Sequence, residues 1–322
     1  MKIPDLLEFA IDEEVKKYSV KDLKDIALKL SKRYMESKRT GETLLKNELD
    51  MVAYSVIRMP ATYSAIRTAM EKVLEMYDFK IDSVLDVGSG TGAAEWVVSE
   101  LLDVDDIVCL EREKNMRDIS KKYFSYHDIL KNVKFIEADI LKENLSVKKD
   151  LSIMSYIINE LDKCDRLVAI QKVLDLTNKL LLIVEPGTPE GFNNIKMIKE
   201  YAQENGFCII APCTGNCNGC NLSEDDWCAS SIRVQRSKTH KYLKDAEVGY
   251  EDEKFTYIAI SKEKIENLKD GYRILRHLKI ENGRVTIKVC RNGEISEKVI
   301  TKKDKELFKM VKKKNIGDFI NI

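Results

Sequence analysis

VLDVGSGTG, residues 84–92, is the stretch whose reading decides the fold. A short apolar run carries Asp86, then gives way to glycine at every second position: Gly88, Gly90 and Gly92. A buried strand that breaks into a glycine-rich turn and restarts as a helix is a cradle for a nucleotide-like ligand. Glycine lets backbone N–H groups approach without a Cβ in the way, and the first turn of the helix offers unpaired donors. The spacing is G-x-G-x-G, which sets it apart from the G-x-G-x-x-G of dinucleotide folds. A glycine turn without a ligand is the plainer alternative. The joint occurrence of strand, acid, glycines and helix speaks against it.

The G-x-G-x-G variant behind an acidic residue is the one with which methyl-transfer enzymes hold S-adenosylmethionine. The expected fold is therefore α/β, a Rossmann-like sheet of the class I methyltransferase type, and the expected cofactor is S-adenosylmethionine. From residue 81 the apolar runs alternate between strand and helix lengths, the pattern of a parallel sheet with helices on both faces. Strands are predicted over 83–87, 107–110, 133–137, 151–156, 180–184, 208–211 and 255–261, with a helix over 193–205. Ligands in such sheets bind beyond the carboxyl ends of the strands. Glu111 falls there after the second strand, placed to accept from both ribose hydroxyls, with Glu113 as a nearby rival. Asp139 follows the third strand and is placed to meet the adenine amino group. After the fourth, Asn159 and Glu160 are the candidates nearest the reacting methyl group, and neither carries an unambiguous catalytic role.

Residues 1–78 read as an N-terminal helical region. Leu6, Leu7, Phe9, Ala10 and Val15 form one apolar stripe at helical spacing, and Leu23, Ile26, Ala27, Leu30 and Tyr34 form a second. Residues 37–41 read as a linker, and Pro60 fits the first turn of a new helix. Arg58 and the tyrosines around it either join two helices or cover the cofactor site. Residues 79–262 make the Rossmann-like unit, with a Cys-rich insertion over 212–250. Residues 263–322 make a small β-rich unit, with hairpin turns at Asn282-Gly283 and Asn292-Gly293 and a basic helix over 302–314.

Lys plus Arg equal Asp plus Glu at 54 each, so net charge does not select a partner. The distribution is uneven: residues 233–322 hold 23 basic against 14 acidic side chains. Arg233, Arg236, Lys238, His240 and Lys244 either contact RNA phosphates or pair with the acids of residues 251–253. The acidic, amphipathic start is unlike a signal or transit peptide, and no apolar run reaches membrane-spanning length. A cytoplasmic, monomeric protein that does not enter membranes is expected. The eight cysteines are then no disulfide framework. Cys109, Cys164 and Cys208 read as small core residues. Cys213, Cys217, Cys220 and Cys228 cluster, with Cys290 as a distant fifth, and imply zinc or an iron–sulfur cluster. Cys213, Cys217 and Cys220 also spell C-x3-C-x2-C, the spacing of radical S-adenosylmethionine enzymes. Their place after a sixth strand argues against that class.

Several separate stretches resemble one family, the methyltransferase-like proteins of the mitochondrial small ribosomal subunit and their prokaryotic relatives. They are YSVIRMPATYSA (54–65), LDVGSGTGAAEW (85–96), SYIINEL (155–161), VEPGTPEGF (184–192), APC (211–213), DWC (226–228), RSKTHKYLK (236–244) and YEDEKFTYI (250–258). The resemblance implies work on or with the small ribosomal subunit and its rRNA, and a 4Fe-4S cluster on Cys213, Cys220, Cys228 and Cys290. This chain has Thr214-Gly215 where the family has Pro-His, and Cys217 is an added candidate. That leaves Cys217 and Cys220 as alternatives and zinc as an alternative metal. Two functions stay open: a methyltransferase acting on rRNA or a ribosomal protein, and a non-catalytic assembly platform built on the methyltransferase fold.

Overall fold

Apolar runs separated by helices build the central sheet. β1 (Ser83–Val87) lies between β2 (Asp106–Leu110) and β4 (Lys149–Ser155), with β3 (Lys134–Ile136) beyond β2 and β5 (Thr177–Pro186) beyond β4. All four pairings are parallel. β8 (Tyr250–Ser261) then lies between β5 and β6 (Cys208–Ala211), antiparallel to both. The sheet is therefore mixed where an all-parallel one is expected from the alternation. β7 (Ser230–Gln235) pairs with the first half of β8, so the expected insertion over 212–250 supplies a strand to the sheet. The order β3-β2-β1-β4-β5-β8-β6, with one reversed strand, is a Rossmann-like fold of the class I methyltransferase type. The structure is a computed structural model and describes residues 1–35, 47–213, 219–223, 226–266 and 268–322, without the side chains of 33–35. The 37–41 linker, the Tyr34 side chain, Thr214-Gly215 and Cys217 lie outside the described residues.

Strands covered on both faces read as continuous apolar runs. One face carries Val84, Ile107, Ile153, Leu182 and Tyr257 and packs under α1 (Asp5–Val15), α2 (Val20–Met35), α3 (Glu48–Met76), α4 (Ala93–Leu101) and α5 (Lys114–Phe124). The other carries Leu85, Val108, Met154, Ile183 and Ile258 under α6 (Arg166–Asp175) and α7 (Pro189–Glu204). A short α8 (Lys238–Leu243) follows β7. The N-terminal helices thus share a core with the sheet.

α3 departs from expectation. Pro60 sits inside one continuous 29-residue helix that starts at an Asn47 cap, where Asp50 N–H donates to Asn47 Oδ1 at 3.0 Å. Proline removes one helix hydrogen bond and costs about 3 kcal/mol in an isolated helix. Here residues on both sides of it, among them Met51, Val52, Val56, Ile57, Met59, Tyr63, Ile66 and Ala69, are buried against neighbouring elements, and that packing outweighs the local preference. On α1 the buried stripe is Leu7, Ala10, Ile11 and Val15, while Leu6 and Phe9 face outward.

A second sheet follows: β9 (Tyr272–Ile274), β10 (Lys279–Glu281), β11 (Arg284–Arg291), β12 (Glu294–Thr301) and β13 (Phe319–Ile320), with α9 (Lys305–Val311) against it. The two Asn-Gly turns join β10 to β11 and β11 to β12. Val285, Ile287, Val289 and Ile300 point into its core. Ile280 and Val299 are exposed. Lys72 of α3 meets Asp318 at 2.6 Å and ties the first unit to this sheet.

Candidate cofactor cleft and cysteine cavity

A cleft of about 1110 Å³ opens beyond the carboxyl ends of β1, β2 and β4. Gly88, Gly90, Glu111, Glu113, Asp139 and Glu160 line it, together with Tyr54 and Thr62 of α3 and Tyr156. Gly88 needs its left-handed backbone (φ 71°), and a Cβ there would come within 2.3 Å of the Ile157 side chain, which also lines the cleft. Gly92 (φ 87°) serves packing: a Cβ would stand 2.5 Å from the Phe124 ring on α5.

Glu111 is held by backbone donors. Gly90 N–H donates to its Oε2 at 2.9 Å and Glu113 N–H to its Oε1 at 2.8 Å. Asp139 accepts from Leu141 N–H at 3.0 Å. Partial burial acts to raise its carboxyl, but that hydrogen bond and the charges of Lys142 and Arg112 hold it below the usual carboxylate range. Glu160 is exposed at the rim.

Besides Gly92, two further candidates, Asp86 and Asn159, lie off the cleft. Asp86 is 1% exposed on the α4 side of the sheet, with Glu95 of α4 and Cys109 of β2 in the same buried space. Cys109 Sγ donates to Glu95 Oε1 at 2.6 Å, and the Asp86 carboxyl faces that of Glu95 within hydrogen-bonding reach. Burial, then the neighbouring Glu95, pushes the Asp86 carboxyl well above its ordinary value. Asn159 turns toward α7: its Oδ1 accepts from Asn194 Nδ2 at 2.5 Å. Behind it Glu185 accepts from Ile158 and Asn159 N–H at 2.9 and 3.2 Å. Burial raises the Glu185 carboxyl to about 7, against the opposing pull of those two donors.

Tyr156 was not among the sequence candidates. It holds φ 60°, unusual for a bulky residue, lines the cleft, and donates its hydroxyl to Glu253 Oε1 at 2.8 Å. Arg58 Nη2 stands 3.8 Å from the same carboxylate oxygen. Tyr54, Arg58 and Thr62 follow at spacings of four on α3, one face of the helix. Of the two readings of that segment, the structure adopts the one in which it covers the cleft. The cue in the sequence was position alone, since Tyr156 directly follows a strand whose end faces the ligand.

The basic group after β7 pairs with acids. Arg233 makes a two-pronged contact to Asp252 at 2.8 and 3.0 Å, and Glu251 accepts from Arg236 at 2.9 Å and Lys244 at 3.0 Å. Buried His240 is held neutral, its pKa lowered to about 4 by desolvation against the pull of Glu251.

A second, smaller cavity is lined by Cys213, Cys220, Cys228 and Cys290, among other residues. They arrive from the end of β6, from residues 219–223 and 226–229, and from β11. Among the described residues no group of three or more His, Cys, Asp or Glu side chains is arranged to hold a metal ion. Trp227, beside Cys228, donates its indole N–H to Gly187 O at 3.0 Å, and Lys288 of β11 reaches Asp226 at 3.2 Å. The cysteine segment is thus fastened to both sheets. Cys109 is buried and Cys208 half-buried, but Cys164 is exposed in the turn before α6 rather than in the core.

The family model described as mitochondrial small ribosomal subunit Rsm22 matches residues 48–321. The chain belongs to the Rsm22 family. The match takes in the cleft, the cysteine segment and the second sheet, and it begins with α3, leaving α1 and α2 outside. No curated protein matches the chain. Among solved structures it is similar to magnesium protoporphyrin IX methyltransferase from Synechocystis PCC 6803 (12% identity, 70% of this chain and 88% of that one, TM-score 0.42). It is also similar to the plantazolicin methyltransferase BpumL (12%, 79% and 99%, 0.43). A third is the ribosomal protein L11 methylase from Lactobacillus delbrueckii subsp. bulgaricus (15%, 62% and 79%, 0.39). At these scores the fold assignment rests on the strand order of the Rsm22-family chain itself. No helix among the described residues is long and apolar enough to cross a membrane.

Proposed function

We propose that this Rsm22-family protein binds S-adenosylmethionine in the cleft over Gly88 and Gly90 and works on or with the small ribosomal subunit. The observation that carries the cofactor reading is the convergence of Gly88, Gly90, Glu111 and Asp139 on one cleft at the carboxyl ends of adjacent strands. In this reading Glu111 exchanges its bond from Gly90 N–H for the ribose hydroxyls, Asp139 meets the adenine, and the sulfonium faces Tyr156 and Glu160. Catalysis would then be positioning of an acceptor against an already activated methyl group. The family description supports the ribosome as the place of work.

Titration calorimetry with S-adenosylmethionine tests the cofactor reading. Saturable binding by the native chain, and at least tenfold weaker binding by Gly88→Asp, is expected. Equal binding by both overturns it. Methyl transfer to small subunits from cells lacking the protein then tests the enzyme.

The platform reading has its own support. Of the two side chains expected nearest the methyl group, Asn159 is bound to Asn194, and Glu111 is already satisfied by backbone donors. A Gly88→Asp, Glu111→Ala chain that restores subunit assembly without any methylated product favours the platform. A loss of assembly together with methylation favours the enzyme.

For the cysteine cavity we infer a resident metal centre, a 4Fe-4S cluster or zinc, held by Cys213, Cys228 and Cys290 with Cys220 or Cys217. Four cysteines lining one cavity are the donor type that such a centre takes. A buried Arg273 Nε–H with no partner among the described residues faces the same need for an anion. Such a group would supply bonds that close the cysteine segment onto the second sheet.

A further inference from the structure

Arg273 lies on β9 directly opposite Cys290 on β11, in antiparallel register. Cross-strand partners project from the same face of a sheet, and Arg273 and Cys290 both line the cysteine cavity. The arginine is 6% exposed. Its two hydrogen bonds end on neutral hydroxyls, from Nη1 to Tyr257 at 3.3 Å and from Nη2 to Ser230 at 3.1 Å. Its Nε has no partner among the described residues.

A guanidinium does not shed its proton in a protein, and a buried cation without a counter-charge is costly. Beyond the Tyr257 ring, whose centre lies 5.3 Å from the guanidinium Cζ, an anion where Nε–H points would offset that cost. Among the described residues that line the cavity with Arg273 none is Asp or Glu, and the groups able to carry negative charge are the thiols of Cys213, Cys220, Cys228 and Cys290. Four thiolates in one cavity would repel one another. Joined through a metal they carry a smaller net negative charge, which one buried guanidinium can partly balance.

We propose that Arg273 is the counter-cation of a metal–thiolate centre in this cavity, with its Nε–H donating to a ligating sulfur. The proposal rests on the reading that the cavity holds a metal. A donor and a positive charge beside the sulfurs stabilise the more reduced, more negative form of an iron–sulfur centre and so raise its potential. For zinc the same contact strengthens retention alone. Arg273 is a positioning and charge-balancing residue, and makes no bond to the metal.

The test uses the full chain with Arg273→Met and Arg273→Lys. Each is reconstituted without oxygen, with ferrous iron and sulfide in one series and zinc in another. Metal content, competition with a chelator, and melting of loaded and stripped protein are measured, with the reduction potential of the iron form. The expected result is at least tenfold easier stripping of Arg273→Met, a lower potential, and a smaller melting gain on loading than the native chain shows. Arg273→Lys should recover retention but not the full potential. A purely structural arginine predicts equal loss in the loaded and stripped forms. That result, a Met variant folded in neither form, or unchanged retention and melting gain, overturns the proposal. Native protein that takes up neither metal overturns the reading of the cavity and the arginine's role with it. Native protein that loads, alongside an indifferent Arg273→Met, overturns the arginine's role alone.

Discussion

The Tyr156 hydroxyl donates to Glu253 Oε1 at 2.8 Å across the mouth of the cofactor cleft, joining the end of β4 to β8. Arg58 on α3 approaches the same carboxylate. Three stretches far apart in the chain, SYIINEL, YEDEKFTYI and YSVIRMPATYSA, thus meet in one cluster. Removing the hydroxyl with Tyr156→Phe should cost about 1 kcal/mol of stability, one part-buried hydrogen bond to a charged group. S-adenosylmethionine affinity should fall several-fold as the wall loosens. Calorimetry and urea denaturation read the two effects separately, and unchanged affinity would remove Tyr156 from the site.

The glycine positions should separate by what surrounds them. Gly92→Ala meets both a positive φ and the Phe124 ring, and should cost roughly 2–4 kcal/mol. Gly206→Ala has a positive φ but open space, so about 1 kcal/mol is expected. Urea midpoints at constant slope check the order. Equal costs would mean that Phe124 moves aside freely.

Glu185 and His240 should give opposing pH dependences. The Glu185 carboxyl is raised to about 7 in the fold, so its stabilising contribution is complete below the unfolded value near 4.5 and is lost as pH rises through about 7. The difference amounts to roughly 3 kcal/mol at most. His240 is lowered to about 4, so its contribution is complete above about 6.5 and is lost as pH falls toward 4. Melting followed from pH 4 to 8 should show a flattened native profile. Glu185→Gln, by removing one slope, should leave stability that falls on acidification across this window. A native-like profile in that variant would place the titration elsewhere.

Cys228→Ser should lower both metal content and stability, because metal binding is folding energy where ligands come from separate segments. Exposed Cys164→Ser should change neither. Metal analysis and melting of protein purified without oxygen provide the check, and identical melting of the two variants would count against a structural metal.

Seven of the eight strands of the first sheet, all but β7 (SSIRVQ), were legible as apolar runs bounded by turn chemistry, and β1 and β6 begin and end where the pattern places them. The reversal of β8 was not, since strand direction leaves no mark in an apolar run. Continuity of α3 through Pro60 depends on tertiary packing and overrides a sound local rule. Gly88, Gly90, Glu111 and Asp139 could be placed at the cleft because each directly follows a strand. Asp86 misled: alternation along β1 turns it away from Leu85 and Val87 and into the face under α4. Arg273 carried no signal, because its meaning comes from a cross-strand neighbour seventeen residues away, Cys290.

The unbroken course of α3 makes it a lever. Tyr54 and Thr62 bear on the cleft and Lys72 bears on Asp318 of the second unit. At 1.5 Å per residue, about 27 Å of rigid shaft separates Tyr54 from Lys72. If the helix moves as one body, a shift of Tyr54 at the cleft is accompanied by a shift of Lys72 at Asp318, and the second sheet is then coupled to the roof of the first.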